Sequence, residues 1–369
     1  MASGLNLSDD RGVMSRRALR LFVAILLPLA RVVPGRAADP VLIAAGDIAS
    51  CTSTGDEATS ALLDALPGTI VTLGDTAYQS GTASEFANCY DPTWGRRRAD
   101  TRPAPGNHDY VTLGASAYYA YFGAAAGDPS RGYYSYDLGS WHLVAINSNC
   151  SAVGGCGVGS PQETWLRADL AAHPTNCTLA YWHHPLFSSG SHGAQAYMKP
   201  IWNALDEDGA DVVLNGHDHI YERFGPQTPS GTADATFGVR EFVVGTGGAS
   251  HYTVNQPLAN SEARNTDTYG VLRLTLHASG YDWQFAPEAG HSFTDAGTGA
   301  CHDLPPAVPQ SVGGTTVEPP VGADDDAEAN ASTSGSKIEW SWGLLVGSVA
   351  LAAGGIVLAA RFARRKRSG

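Results

Sequence analysis

Five short stretches of this chain gather carboxylates, imidazoles, an amide and a phenol beside glycine or aromatic residues. They are GDIA (Gly46 to Ala49), GDTAY (Gly74 to Tyr78), GNHD (Gly106 to Asp109), YWHH (Tyr181 to His184) and GHDH (Gly216 to His219). Asp47, Asp75, Tyr78, Asn107, His183, His217 and His219 offer hard to borderline donors, which suit iron, zinc or manganese better than metals that seek thiolates. Singly, each has an ordinary structural use: an Asp after a strand caps a helix or makes a turn, and a lone Tyr packs. Taken in order and with complementary donor types, they read as one multi-ligand metal centre. His217 and His219 alternate, so extended backbone turns both to the same side.

Apolar runs predict the elements that must position these residues. Strands are expected at 41–45, 69–73, 141–147, 178–182, 211–214, 240–244, 271–276 and 281–285, with helices near 57–66, 115–122, 161–171 and 196–208. Asp47 follows LIAAG, Asp75 follows IVTLG, His183 follows LAYW and His217 follows VVLNG. Each therefore stands just past a buried strand, at the carboxyl ends where α/β sheets bind ligands. Strands separated by helices imply sheets with helices packed outside, and the later strands without helices imply an antiparallel portion.

On these motifs the sequence resembles the calcineurin-like metallophosphoesterases, and within them the purple acid phosphatase branch. The resemblance runs over 41–285 and includes GHDHIYER (Gly216 to Arg223) and GDTAYQSG, which stands where the family has GD-x-x-Y. It implies an α/β fold, a four-layer αββα sandwich of two mixed β-sheets with helices outside. It also implies two metal ions, Fe plus Zn, Mn or Fe. Asp47, Asp75, Tyr78 and His219 would hold one, and Asp75, Asn107, His183 and His217 the other, with Asp75 bridging. A metal-bound hydroxide would then attack a small phosphomonoester in line. His108 would donate a proton to the leaving alcohol with Asp109 orienting it, and His192 and His184 would contact the substrate phosphate. Two departures stand out. Ala49 replaces the His that many relatives carry two residues after the first Asp, which leaves Tyr78 to fill that position. Asp109 stands where plant and animal purple acid phosphatases commonly have Glu. The same centre could serve a phosphodiesterase or nucleotidase, and the fold could serve a non-catalytic surface binding protein. Glu222 and Arg223 are expected to pair structurally beneath the metals.

The net charge of -13 argues against nucleic acid as a preferred partner, because phosphate backbones are held by clustered Lys and Arg. Arg16, Arg17 and Arg20 precede the apolar run at 21–30, so residues 1–38 read as an export signal. The catalytic domain is expected over 39–303, followed by an acidic Pro/Gly/Ser-rich linker (304–339) too poor in large apolar residues to order itself. Residues 340–361 read as a transmembrane helix and 362–369 as a basic cytoplasmic tail. The protein is thus expected at the cell surface, anchored to a membrane through its C-terminal helix. Six cysteines between signal and anchor favour disulfides. Cys150 with Cys156 flanks a Gly-rich turn; Cys51 with Cys89 and Cys177 with Cys301 follow by elimination.

Overall fold

The computed structural model describes residues 38–302 apart from 255. Along the chain come β1 (Val41–Ala45), β2 (Ala49–Ser50), α1 (Gly55–Ala65), β3 (Thr69–Leu73), β4 (Ala77–Tyr78), α2 (Ala83–Glu85), β5 (Thr101–Ala104) and α3 (Ser116–Phe122). There follow β6 (Tyr134–Leu138), β7 (Trp141–Ala145), α4 (Pro161–Ala172), β8 (Thr178–Tyr181), α5 (Lys199–Asp208), β9 (Val212–Asn215), β10 (Tyr221–Phe224) and β11 (Arg240–Val244). The last strands are β12 (Ser261–Asn265), β13 (Gly270–His277), β14 (Gly280–Pro287) and β15 (Ala296–Ala300).

Two mixed sheets result. One runs β15-β14-β13-β1-β3-β5, with β1, β3 and β5 parallel and the rest antiparallel; the other runs β12-β10-β11-β9-β8-β7-β6, with β7, β8, β9 and β11 parallel. The side-chain period of two explains the layering. In the second sheet Leu143, Leu179, Tyr181, Val212, Leu214 and Phe242 join the buried cluster of Leu42, Ala44, Val71 and Leu73 between the sheets. Their neighbours Val144, Ala180, Trp182 and Val213 face the other way, onto Leu166, Leu170, Ile201, Trp202 and Leu205 of α4 and α5. This is the α/β sandwich with helices outside. Ser160 caps α4 by accepting from the Glu163 N–H, and Pro161 opens the first turn, where its missing N–H costs nothing.

Three disulfides, Cys51–Cys89, Cys150–Cys156 and Cys177–Cys301, close among the described residues. No described helix is long and apolar enough to cross a membrane. This corrects the expectation of a membrane partner and of cell-surface anchoring. The span expected at 340–361 lies outside the described residues, as do the signal to residue 37, residue 303, the linker and the tail.

Candidate metal centre

The parallel strands deliver the expected ligands to one place. Asp47 lies past β1, Asp75 past β3, Asn107 past β5, His183 past β8 and His217 past β9, while Tyr78 ends the short strand β4. Gly106 shows how tightly the loops converge: a Cβ there would lie 2.1 Å from Asp75 Oδ1 and 2.2 Å from Asp75 N, so only glycine fits.

Two donor clusters form. In the first, Tyr78 Oη lies 2.8 Å from Asp47 Oδ1, 3.0 Å from Asp75 Oδ2 and 3.1 Å from His219 Nε2, and His219 Nε2 is 3.2 Å from Asp47 Oδ1. In the second, His183 Nε2 lies 3.2 Å from Asp75 Oδ2, 3.0 Å from Asn107 Oδ1 and 3.3 Å from His217 Nδ1. Asp75 Oδ2 belongs to both. The far nitrogens of two imidazoles are fixed, His183 Nδ1 by the Leu73 carbonyl at 2.8 Å and His219 Nδ1 by Ser250 Oγ at 2.7 Å. Such partners orient a ring for a metal on its other nitrogen.

The charges in the cluster fit cations as well. Asp47 and Asp75 are buried at 0% and 1% exposure, and among the described residues no Lys or Arg pairs with them. Burial opposes ionisation of Asp75, but the charge and hydrogen bond of His183 and the His108 contacts hold its carboxyl well below the usual range. Burial and the Asp47 and Asp75 charges raise the Tyr78 phenol well above its ordinary value. A phenol held between two carboxylates gives up its proton only when a cation sits beside the oxygen. Burial, with the nearby His183 charge, lowers His217 to about 2, which keeps its lone pair free. Carboxylates, amide oxygen, phenol and imidazoles in two overlapping sets of four thus fit a pair of hard to borderline ions.

Around this centre the other expected residues divide. His108 leans on the Tyr78 ring with centroids 4.5 Å apart; its Nδ1 meets the Gln79 carbonyl at 2.7 Å and its Nε2 lies 3.9 Å from Asp75 Oδ2. His192 is exposed and stacks on His217 at 4.4 Å. Asp109 does not orient His108. Its buried carboxylate accepts from Gly106 N at 2.8 Å and Thr76 N at 3.2 Å, and burial beside Asp75 raises it to about 7. His184 is 8% exposed and tied through Nδ1 to Ser148 Oγ at 2.8 Å, so it backs the His183 and His217 rings rather than facing solvent. Glu222 and Arg223 do not pair either. Glu222 receives Ser189 N and Oγ and Ser261 Oγ, while Arg223 reaches Asp295 and Glu262, because adjacent strand residues point to opposite faces.

Three contributors were missed from sequence. Asp218, between the two histidines of GHDH, is fully buried and accepts from Ser188 Oγ (2.5 Å), His192 N (2.8 Å) and Gly193 N (3.1 Å). Its alternation with His217 and His219 was the available signal. Tyr252 stacks on His219 at 4.0 Å and 9°, and Ser250 holds His219 Nδ1; no spacing marks either residue.

A model of the calcineurin-like phosphoesterases matches residues 26–221. Purple acid phosphatase 15 of Arabidopsis thaliana is 29% identical over 228 residues, 52% of this chain and 41% of that protein. An uncharacterized protein of Mycobacterium tuberculosis is 29% identical over 188 residues, 41% of this chain and 36% of its own. The purple acid phosphatase PPD1 from yellow lupin seeds shares the fold, with a TM-score of 0.61 at 18% identity over 72% of this chain and 55% of that one. The chain therefore spans only about two fifths of the length of these curated relatives. With the match covering more than half its residues, the chain belongs to the calcineurin-like phosphoesterase family, on its purple acid phosphatase-like branch.

Proposed function

We propose that the protein is an exported dinuclear-metal phosphatase that hydrolyses phosphomonoesters. The observation that carries this reading is the shared Asp75 Oδ2, which joins one four-donor cluster built on Asp47, Tyr78 and His219 to another built on Asn107, His183 and His217. When bound there, two cations would neutralise charge on the phosphoryl oxygens and acidify the attacking water. The chain's own residues do the rest. His108, its Nδ1 turned to the Gln79 carbonyl, presents Nε2 to the leaving oxygen and gives up a proton there. His192, exposed and stacked on His217, contacts the phosphate from the other side. Three disulfides support export, since such bonds persist in oxidising compartments.

The test pairs elemental analysis of the purified protein with hydrolysis of p-nitrophenyl phosphate, bis-p-nitrophenyl phosphate and nucleotides. Two metals per chain and a monoester preference are expected. A diester preference would overturn the monoesterase assignment. A protein that takes up no Fe, Zn or Mn and hydrolyses nothing would overturn the enzyme itself.

A further inference from the structure

A second group of imidazoles and carboxylates lies away from the strand ends just described. His142 is the second residue of β7, which runs parallel to β8, so it sits at the end of the second sheet opposite His183. Asp169 and His173 come from the last turn of α4 and the residue that ends it, four positions apart, so both face the same side of the helix. His142 Nε2 lies 2.9 Å from Asp169 Oδ2, and His173 Nδ1 lies 3.5 Å from Asp169 Oδ1. One donor atom from each of the three falls within 4.8 Å of the others.

The surroundings of these atoms are those of a built site. The His142 side chain is 2% exposed, and its Nδ1 meets Asp137 Oδ1 at 2.8 Å. A carboxylate on the far nitrogen holds the ring so that Nε2 can face a cation once its proton to Asp169 is displaced, the arrangement found behind metal-bound histidines. Asp169 has support of the same kind, because Ser135 Oγ donates to its Oδ1 at 2.8 Å. The His173 ring, 45% exposed, stacks on His142 at 4.6 Å and 11° with its Nδ1 on the Asp169 carbonyl, so it must turn out of the stack and release that carbonyl to share a cation with His142. A cavity of about 360 Å³ opens beside the group, lined by Asp137, Ser140, His142, His173 and Thr175, and gives room for water.

We propose that His142, Asp169 and His173 form a separate site for a single zinc-class cation, with Asp137 as the orienting carboxylate and a fourth position open to the cavity. Two imidazoles and one carboxylate with an open position is a known zinc donor set. The cation must displace the proton that His142 shares with Asp169. The site therefore fills as protons become scarce. It does not depend on the phosphatase reading.

The test equilibrates the protein with zinc, removes the excess and counts zinc per chain in wild type, His173→Ala and Asp137→Asn. Circular dichroism confirms that each variant is folded, and His173→Gln repeats the loss with bulk retained. Wild type is expected to hold one zinc more than His173→Ala and His173→Gln. Asp137→Asn should hold that ion about 10- to 100-fold more weakly. Equal zinc content in wild type and both His173 variants overturns the proposal.

Discussion

Replacing Asp218 by Asn tests how the exposed His192 is positioned. The buried carboxylate gathers three donors, Ser188 Oγ and Gly193 N on Oδ2 and His192 N on Oδ1. An amide offers one acceptor in their place. If its oxygen stays with His192 N, the new NH₂ faces Gly193 N; if it flips, His192 N loses its acceptor. Either orientation strands one backbone N–H, at a cost of about 1–3 kcal/mol, and the Ser188 to Gly193 segment moves to relieve it. His192 stands 4.4 Å from the His217 ring, and a shift on the order of 1 Å would take it off the phosphate that it is proposed to contact. Loss of that alignment should lower kcat/KM about 10- to 100-fold, or ~1.4 to 2.7 kcal/mol of transition-state stabilisation. The assay is a double-mutant cycle with His192→Ala on p-nitrophenyl phosphate, with metal content measured in all four proteins. If Asp218 acts through His192, the double variant should be no slower than His192→Ala alone. Additive losses with full metal content would refute the reasoning, because Asp218 would then be acting elsewhere.

Asp75→Asn should strip metal from both halves of the centre together, since Asp75 Oδ2 contacts both Tyr78 Oη and His183 Nε2; retention of two tightly held ions by elemental analysis would contradict the bridge. If ferric iron occupies the Tyr78 cluster, the protein should carry a visible charge-transfer band that Tyr78→Phe abolishes, and a colourless active wild type would exclude the ferric phenolate. Asp295→Asn should cost about 2–4 kcal/mol in chemical denaturation, because Arg223 Nε, Tyr221 Oη and Trp283 Nε1 all converge on Asp295. Burial raises the Asp295 carboxyl, but the bonds from Arg223 and Tyr221 outweigh it and hold it below its ordinary value. Its contribution is therefore present above the unfolded carboxylate range and lost as pH falls through the folded value, so wild type and variant should converge in acid. A gap that does not depend on pH would mean that the ionised carboxylate is not what stabilises the fold.

Most inner strands were legible in the sequence, β10 with its YERF excepted, and the outermost ones were obscure. β1, β3, β8 and β9 are short, largely apolar runs because both their faces are covered. β5, β6, β12 and β15 are the outermost strands of their sheets. TRPA carries a proline, which an edge tolerates; SEARN is half exposed and AGTGA is nearly all small, so none shows an apolar signal. The donor clusters were readable because each expected ligand follows a strand that points at one centre. The partners of Asp109, Glu222 and Asp218 were not. Most come from segments distant in sequence, as when Ser189 and Ser261 meet Glu222, and no local spacing records such a meeting.

Backbone strain falls on three residues of the donor set. Asp47 (φ 60°), Asp75 (φ 50°) and His217 (φ 73°) take left-handed conformations without being glycine. Each costs about 1–2 kcal/mol. Asp and His enter this region more readily than most residues, but His217, between Gly216 and a buried aspartate, still needs a restraint. What holds it is the His217 N–H bond to Asp47 Oδ2 at 2.8 Å, while a Cβ on Gly216 would come 2.7 Å from that oxygen. Folding thus draws two carboxylates together, inserts a phenol between them and bends three of their carriers into unfavourable backbone. A sequence under pressure for stability alone would relax each of these, and none is relaxed. Ala115 and Asn260 share the conformation away from the centre, but three of the five such non-glycine residues among the described residues supply donor atoms, including the shared Asp75, which is the pattern a converging ligand set would produce.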